Sequence, residues 1–353
     1  MEHYYLAKYA YFCTANNKGV AGIGSRQLVT DDLETWGIAL QIASFLLDNE
    51  GASFADIQSH IEKISKDEIE RGLSFLYDAN LLFYEKHLSD DRYSRNKLYY
   101  RSKGLDTNKI QDRLSKSSVA ILGCGGIGNI VSVMLATSGV GNIYLIDADI
   151  VELSNLTRQF MFSECDVGEY KVTSLSRELR KRNSEINVYE INKIVSSYDD
   201  LDIIKHVDVA VLSADSPANI SLIVNKYCVS NSIPFIHVGY LNDISVVGPF
   251  FIPGLSGCIN CGIMNNNINE TSVDSIKSSM MKKINSKCKG VSFPIQNEIS
   301  ASIAANDIIK FLGKYGTPDS ANKKIGFSPD GLQLSFLDYS VNSSCEICSK
   351  KQR

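Results

Sequence analysis

Hydrophobic and polar positions follow two patterns along this chain, and the pattern changes near residue 88. In residues 1–88, apolar residues recur at helical spacing in "LETWGIALQIASFLL", "FADIQSHIE" and "IERGLSFLYDAN". Ser53 can cap the second of these helices, and Ser65 forms a capping box with Glu68 before the third. The apolar run "LLFYEKH" then predicts a strand. Three helices followed by a strand predict a small winged-helix-like domain.

From Ser117 onward, apolar strands alternate with helical stretches. The strands are "SVAILG", "NIYLID", "INVYEIN", "VDVAVLSAD" and "PFIHVGY". This alternation predicts an α/β fold with a Rossmann-like, doubly wound and mostly parallel sheet. A later antiparallel strand ("ISVVGPFFIPG"), a helix ("PIQNEISASIAANDIIKFLG") and a closing hairpin ("KKIGFSPDGLQLSFLDY") follow. Residues 262–292 are polar and predict a crossover loop. Because the pattern changes near residue 88, we divide the chain into domains at 1–88 and 89–353.

A glycine-rich loop follows the first of these strands. It has the spacing G-x-G-x-x-G between a strand and a helix, and Asp147 ends the next strand about 20 positions later. Backbone N–H groups of such a loop bind phosphate, and a strand-end carboxylate can bind ribose. The loop alone does not distinguish NAD from another adenine nucleotide. Its candidate nucleotide-binding residues are Gly123, Gly125, Gly126 and Gly128.

A polar segment after Asp147 favours a triphosphate over NAD. Cationic residues near a glycine loop suit a triphosphate, whose charge must be neutralised during attack at its α-phosphorus. Asp215 ends a later strand, where a carboxylate can hold Mg²⁺ against the phosphates. A surface salt bridge would explain any one of these residues but not the whole set. The segment's candidates are Asp149, Asn155, Arg158, Gln159 and Lys171.

Two C-x-x-C pairs are a second strong signal among the nine cysteines. Four thiolates in two chelating pairs are the ligands of a structural, tetrahedral Zn²⁺. The spacing therefore predicts one structural zinc site that joins the end of the chain to the crossover region. Its expected ligands are Cys258, Cys261, Cys345 and Cys348.

The net charge of the first domain argues against nucleic-acid binding. Between Asp31 and Lys86 there are twelve acidic and four basic residues, a net charge of −8, within a whole chain of net charge −4. Such a surface repels phosphate, so no nucleic-acid partner is expected. The domain is expected to be either a packing or dimerisation module or a peptide clamp whose strand edge binds a substrate strand.

Neither a membrane span nor a secretory signal is expected in this sequence. No apolar run reaches the roughly 18 residues that a bilayer requires, and "MEHYYLAKYAYF" does not have the layout of a signal peptide. A cytoplasmic location is the resulting expectation.

The motifs "GCGGIGN", "LIDADIVELSNLTRQ", "DVGEYK" and "SAD" together resemble the adenylation domain of ubiquitin-activating and molybdopterin-synthase-activating enzymes. The resemblance covers residues 92–348. It implies attack of a carboxylate on the α-phosphorus of ATP, giving an acyl-adenylate and pyrophosphate. It also implies the roles of single residues: ribose binding by Asp147, phosphate binding by Asn155, Arg158 and Lys171, and magnesium binding by Asp215.

The segment "RYSRN", residues 92–96, resembles the arginine motif of the same family. It implies a homodimer in which Arg95 reaches the ATP of the partner subunit. Asn96 stands where family members usually have Gln.

The whole chain also resembles a subgroup of this family, the microcin C-type peptide-modifying enzymes, through "ILGCGGIGN", "LATSGVG", "NLTRQ", "KRNSEI" and "VNKYCV". This implies a clamp for a short ribosomally made peptide, adenylation of a peptide carboxyl group and intramolecular attack, in microcin C-type or pantocin-type antibiotic biosynthesis. The alternative is an enzyme that adenylates the C-terminal Gly of a ubiquitin-like sulfur carrier. A nucleotide sensor without catalytic activity is a third possibility.

Cys288 is the candidate nucleophile if the acyl group passes to the enzyme. Lys287 and Lys289 flank it, and neighbouring cations favour the thiolate. A peptide that supplies its own nucleophile makes this cysteine unnecessary, so its role stays open.

Overall fold

The computed structural model describes residues 3–61, 63–84, 91–266, 279–281, 283–284 and 292–349. The chain forms two compact units, Met1–Lys109 and Ile110–Arg353. Within the described residues, no helix is both long and apolar enough to cross a bilayer.

The first unit combines short strands with helices. Its described strands form two sheets, ordered β5-β1-β6 and β2-β3-β4. The strands are His3–Leu6 (β1), Tyr11–Ala15 (β2), Lys18–Ile23 (β3), Arg26–Thr30 (β4), Ala52–Ser53 (β5) and Leu82–Phe83 (β6). The helices are Leu33–Asp48 (α1), Phe54–His60 (α2), Lys66–Asp78 (α3) and Ser94–Ser102 (α4).

The three predicted helices are α1, α2 and α3, and the predicted caps begin the second and third of them. The Ser65 N–H donates to Glu68 Oε2 at 2.7 Å, and the Glu68 N–H donates to Ser65 Oγ at 3.3 Å. Ser53 forms the same reciprocal pair with Asp56. Of the predicted strand "LLFYEKH", β6 is the described part, and residues 85–90 lie outside the described residues.

The first unit extends beyond the boundary expected after residue 88. Helix α4 belongs to it, and the Arg101 guanidinium lies 4.3 Å from the centre of the Phe83 ring. This contact joins α4 to β6 within the first unit, which ends at Lys109. A further helix, Thr107–Lys116 (α5), spans the division.

The second unit has the α/β fold that the sequence predicts. Eight of its described strands form one sheet in the order β14-β13-β12-β11-β10-β7-β8-β9. They are Ser118–Leu122 (β7), Asn142–Ile146 (β8), Asn187–Ile191 (β9), Val209–Leu212 (β10), Phe235–Leu241 (β11), Ile244–Phe251 (β12), Lys323–Ser328 (β13) and Gln333–Asp338 (β14). The helices after α5 are Gly126–Ser138 (α6), Lys171–Arg182 (α7), Ile220–Asn231 (α8), Ile259–Asn265 (α9) and Pro294–Gly313 (α10).

The direction of the strands fixes where a ligand can bind. Strands β11, β10, β7, β8 and β9 run parallel, whereas β12, β13 and β14 are antiparallel. Strand β7 lies between β8 on one side and β10 on the other, so connections leave it in both directions. Ligands of open α/β sheets bind at the carboxyl ends of the strands at such a point.

The loop expected at 262–292 begins later than predicted, because α9 continues to Asn265. Most of the remaining segment lies outside the described residues, as does Cys288.

Candidate active site

A cavity of about 520 Å³ lies at the carboxyl ends of the parallel strands. It brings together nearly all of the residues that the sequence suggests for nucleotide binding. These are Gly123, Gly125, Gly126, Asp147, Asp149, Asn155, Arg158, Gln159, Lys171 and Asp215.

Two predicted residues are not in the lining of this cavity. A Cβ at Gly128 would lie 1.9 Å from the Gly123 carbonyl oxygen, so this glycine allows α6 to pack closely against the loop. Arg95 is exposed on α4 in the first unit. Its predicted role concerns a partner subunit and stays a prediction.

The glycine loop presents the start of α6 to the cavity. Gly123 has a φ of +96°, and a Cβ there would lie 2.7 Å from the Ala214 backbone nitrogen. Gly125 precedes α6 and offers no side-chain cap to it. The first N–H groups of a helix have no partner within the helix, so they can bind an anion such as phosphate.

The backbone of the neighbouring loops holds Asp147 in place. Its Oδ2 accepts from the Cys124 N–H at 2.7 Å, and its Oδ1 accepts from the Asp149 N–H at 2.8 Å. These two bonds orient the carboxylate at the end of β8, where the cavity begins.

Lys171 is a buried cation at the start of α7. Its Nζ lies 2.8 Å from Asp149 Oδ2, and its backbone N–H donates to the Asp149 carbonyl at 2.9 Å. The Lys171 side chain is 9% exposed and that of Asp149 is 72% exposed. A buried ammonium group requires an anionic partner, and Asp149 is that partner here. Because Asp149 is exposed, an incoming anion can replace it.

A short turn after β8 places the remaining polar side chains. Asn155 Oδ1 accepts from the Glu152 N–H at 3.2 Å, and the Gln159 N–H donates to the Asn155 carbonyl at 3.0 Å. Arg158 is half-buried, and its Nη1 donates to the Ser154 carbonyl at 3.0 Å. Its guanidinium therefore lies in the cavity wall without a carboxylate partner among the described residues.

Sequence reasoning missed several residues that line the cavity. Lys193 follows the end of β9 and pairs with Asp200 at 2.8 Å. Its position two residues after a strand could have indicated a cavity residue, because ligands bind at the carboxyl ends of parallel strands. Tyr240, Ser292 and Asn297 had no such signal, because they lie far along the chain from the glycine loop and reach the cavity only through tertiary packing.

The four predicted zinc-ligand cysteines form one buried cluster. Their sulfur atoms all lie within 4.8 Å of one another. The Sγ–Sγ distances are 4.0 Å for Cys258–Cys261, 3.7 Å for Cys258–Cys345 and 3.3 Å for Cys261–Cys348. A tetrahedron with Zn–S bonds of about 2.3 Å separates its sulfurs by about 3.8 Å. The Asn342 N–H also donates to Cys261 Sγ at 3.4 Å, so this donor set fits zinc.

Residues 93–347 match the ThiF family. The chain belongs to the ThiF family.

Two ThiF-type relatives cover most of the chain. Molybdopterin-synthase adenylyltransferase of Escherichia coli is 27% identical over 263 residues, which are 74% of this chain and 99% of the relative. The crystal structure of E. coli MccB with MccA-N7isoASN has a TM-score of 0.89 and 38% identity, and covers 98% of this chain and 99% of MccB. A third structure, that of PaaA, shares the fold at a TM-score of 0.73 and 21% identity, and covers 95% of this chain and 100% of PaaA.

This family membership confirms the sequence prediction of an ATP-dependent adenylating enzyme. MccB has also been solved with ATP, in a structure that matches this chain with a TM-score of 0.87, 38% identity and coverage of 98% of this chain and 99% of MccB.

Among the described residues, Cys124 and Cys228 are not suited to thioester chemistry. Burial and the nearby Asp147 carboxylate raise the pKa of Cys124, and burial raises the pKa of Cys228. Thiols with raised pKa values are poor nucleophiles at neutral pH. Of the described cysteines, none lines the cavity.

Proposed function

We propose that this enzyme adenylates a carboxyl group of a short, ribosomally made peptide, and that the peptide's own nucleophile then attacks the acyl-adenylate. The observation that carries the proposal is the extent of the similarity to MccB. It covers 98% of this chain, whereas the molybdopterin-synthase adenylyltransferase covers 74%. The similarity to MccB therefore includes the first unit, for which a sulfur-carrier activator gives no explanation.

The ligands of MccB support both parts of the proposal. Its structures contain MccA-N7isoASN, N-formylated MccA and a succinimide, and one describes MccB as a microcin C7 biosynthetic enzyme. A succinimide forms when a side-chain amide attacks an activated carboxyl group of the same residue. Internal attack of this kind needs no enzyme cysteine. The similarity to MccB supports a role in microcin C-type antibiotic biosynthesis. The proposal also includes pantocin-type biosynthesis, in which the peptide likewise supplies its own nucleophile.

The cavity supplies a role for each proposed ATP-binding residue. Asp147, oriented by two backbone N–H groups, would bind the ribose hydroxyls. The start of α6, with Arg158 and Lys171, would hold the phosphates and neutralise the charge that grows on them during attack. Asn155 and Gln159 would complete the phosphate-binding wall, and Asp149 would keep Lys171 in place until ATP arrives.

Asp215 is exposed in the cavity wall directly beyond β10. A carboxylate oxygen there fits magnesium, which when bound supplies charge neutralisation for the phosphates. Cys258, Cys261, Cys345 and Cys348 would hold zinc, which in a four-thiolate site stabilises the fold.

The first unit would bind the peptide. Strand β6 is at an edge of the described β5-β1-β6 sheet, where a peptide strand can add. Beside it, the ring of Tyr84 is 51% exposed and lies 5.5 Å from the ring of Tyr4 and 6.2 Å from that of Tyr77. These rings would contact side chains of a peptide strand added at that edge.

Pyrophosphate exchange tests the proposal against its alternative. Labelled pyrophosphate should enter ATP when a short peptide is present, and should not when a ubiquitin-like sulfur carrier is present. The 27% identity to molybdopterin-synthase adenylyltransferase supports the sulfur-carrier alternative. Exchange that requires the carrier would establish that alternative, and exchange with neither would favour a nucleotide sensor.

A further inference from the structure

The cavity has a second wall that the family motifs do not supply. Tyr240 comes from β11, Asn297 from the first turn of α10, and Ser292 from the residues just before that helix. In the sheet, β8 and β9 lie on one side of β7, and β10 and β11 lie on the other. This second wall is therefore on the side opposite to Asp147.

Asn297 is the most buried polar residue of this wall, with 1% of its surface exposed. Its Nδ2 donates to Ser292 Oγ at 3.3 Å, and the second N–H of that nitrogen has no acceptor in the described part of the chain. Its Oδ1 is buried and also has no partner there. Buried polar groups in native proteins are nearly always paired, so an amide with two open positions in a cavity wall points to a ligand.

The amide lies directly against the start of α6. A Cβ at Gly126 would be 2.4 Å from Asn297 Nδ2, so the glycine leaves the space that the amide fills. Asn297 therefore contacts the helix N-terminus at which the phosphates of ATP are proposed to bind.

Hydrogen bonds to the sheet hold the start of α10 in place. Ser245 Oγ donates to the Gln296 carbonyl at 2.9 Å. Ser300 Oγ donates to the Gly239 carbonyl at 2.8 Å and accepts from the Val246 N–H at 3.1 Å. Asn297 is thus fixed relative to β11 and β12 before any ligand binds, as a group that positions a reacting atom must be.

We propose that Asn297 binds the carboxyl group that becomes adenylated. The inference deepens the proposed function, because it uses the assignment of Asp147 to the ribose. If the nucleoside lies against β8 and β9 and the phosphates lie at α6, the acyl group must approach from the β11 and α10 side. The Asn297 amide would bind the carboxyl group next to the α-phosphorus.

The step is a substitution at phosphorus with no proton transfer. One carboxylate oxygen forms a bond to the α-phosphorus, the bond from that phosphorus to the oxygen bridging to the β-phosphate breaks, and its electron pair leaves with pyrophosphate. The other carboxylate oxygen accepts from Asn297 Nδ2 and becomes the carbonyl oxygen of the adenylate. Because the Asn297 amide is uncharged, it orients the carboxylate without forming an ion pair that would neutralise the nucleophile before attack.

Calorimetry with a matched pair of ligands tests this role without the natural peptide. The pair is 5′-O-sulfamoyladenosine and its N-(N-acetylglycyl) derivative, in which sulfamate stands for the α-phosphate and the added carbonyl for the acyl group. The wild-type enzyme should bind the acylated compound more tightly. Asn297→Ala should reduce that gain about three- to tenfold, the range for one neutral hydrogen bond. It should leave the affinities for the unacylated compound and for ATP close to wild type.

Asn183→Ala is the matched control, because Asn183 is fully buried, donates from Nδ2 to the Ala136 carbonyl at 2.7 Å and is not in the cavity lining. This variant should keep the wild-type ratio of the two affinities. If Asn297→Ala does not fold, Asn297→Ser gives the same comparison with a smaller polar side chain.

Three results would overturn the inference. The wild type could show no preference for the acylated compound, the variant could keep the full preference, or both ligands could weaken equally, which would assign Asn297 to the nucleotide. Failure of the wild type to bind ATP would instead reject the proposed nucleotide site, so the two failures are distinguishable.

Discussion

Lys171 and Asp149 show at the scale of single residues how the site keeps a cation available. The ammonium group is buried at the start of α7, and its partner is an exposed carboxylate 2.8 Å away. A buried lysine without any partner would lose its charge or destabilise the fold. Because Asp149 remains open to the cavity, a triphosphate can take over the pairing. We infer that ATP binding exchanges one anionic partner of Lys171 for another at little cost.

Asp215 carries the first prediction at this scale. Asp215→Ala should abolish adenylation while part of the ATP affinity survives. Loss of the carboxylate would remove the proposed magnesium ligand, and with it several kcal/mol of charge stabilisation in the transition state. Pyrophosphate–ATP exchange with the peptide substrate measures the step.

Asp208→Ala is the control for this variant. Asp208 lies just before the opposite end of β10, where its Oδ2 accepts from the Ser118 N–H at 2.8 Å. Its loss should affect stability more than exchange. Exchange near the wild-type rate in Asp215→Ala would contradict the magnesium role.

At the scale of elements, local signals were readable from the sequence and tertiary ones were not. The caps at Ser53 and Ser65 were predictable because a capping box depends on residues three positions apart. Strands β2, β3 and β4 were missed. The sequence signal was the Asn16-Asn17 pair at their first turn, where the structure has φ values of +51° and +59°. Such a two-residue turn is a usable hairpin signal. The two-residue strand β5 and the placement of Asn297 have no local pattern, because both depend on packing partners distant in sequence.

The cysteine cluster carries the prediction at this scale. Cys258 precedes α9, and Cys345 belongs to the C-terminal segment, so zinc would join two elements 87 positions apart. We expect one Zn²⁺ per chain by metal analysis. Cys345→Ser should lower both the zinc content and the melting temperature, since structural zinc contributes folding free energy directly.

Cys165→Ser is the matched control for the zinc site, because Cys165 is exposed and outside the cluster. It should change neither quantity. Zinc-free protein purified without chelator would reject the site, as would an unchanged melting temperature in Cys345→Ser.

At the scale of the whole molecule, we propose that the first unit binds the peptide and that the cavity of the second unit binds ATP. The ATP-binding candidates that line the cavity lie in the second unit, whereas the β6 strand edge, its tyrosines and Arg95 lie in the first. Tyr84→Ala should therefore weaken peptide binding by calorimetry and leave ATP binding unchanged. Tyr11→Ala is the control, because Tyr11 is 59% exposed but lies on β2 in the other small sheet. Equal peptide affinity in Tyr84→Ala and wild type would argue against the clamp.

The last prediction concerns Arg95 and the proposed homodimer. Arg95 is exposed on α4. The family resemblance implies that it reaches the ATP of the partner subunit. An arginine there would offset the charge that develops on the triphosphate as pyrophosphate leaves. Arg95→Ala should therefore lower turnover far more than it lowers the melting temperature.

Mixed dimers of Arg95→Ala and Asp215→Ala test this geometry directly. One site of such a dimer would take its arginine from the Asp215→Ala chain and its carboxylate from the Arg95→Ala chain, and would be intact. The other site would lack both groups. Mixed dimers should thus recover about half of the wild-type rate, as one working site of two requires. If purified mixed dimers are as inactive as both parents, Arg95 acts within its own chain or has no part in the reaction, and the proposed dimer loses its functional basis.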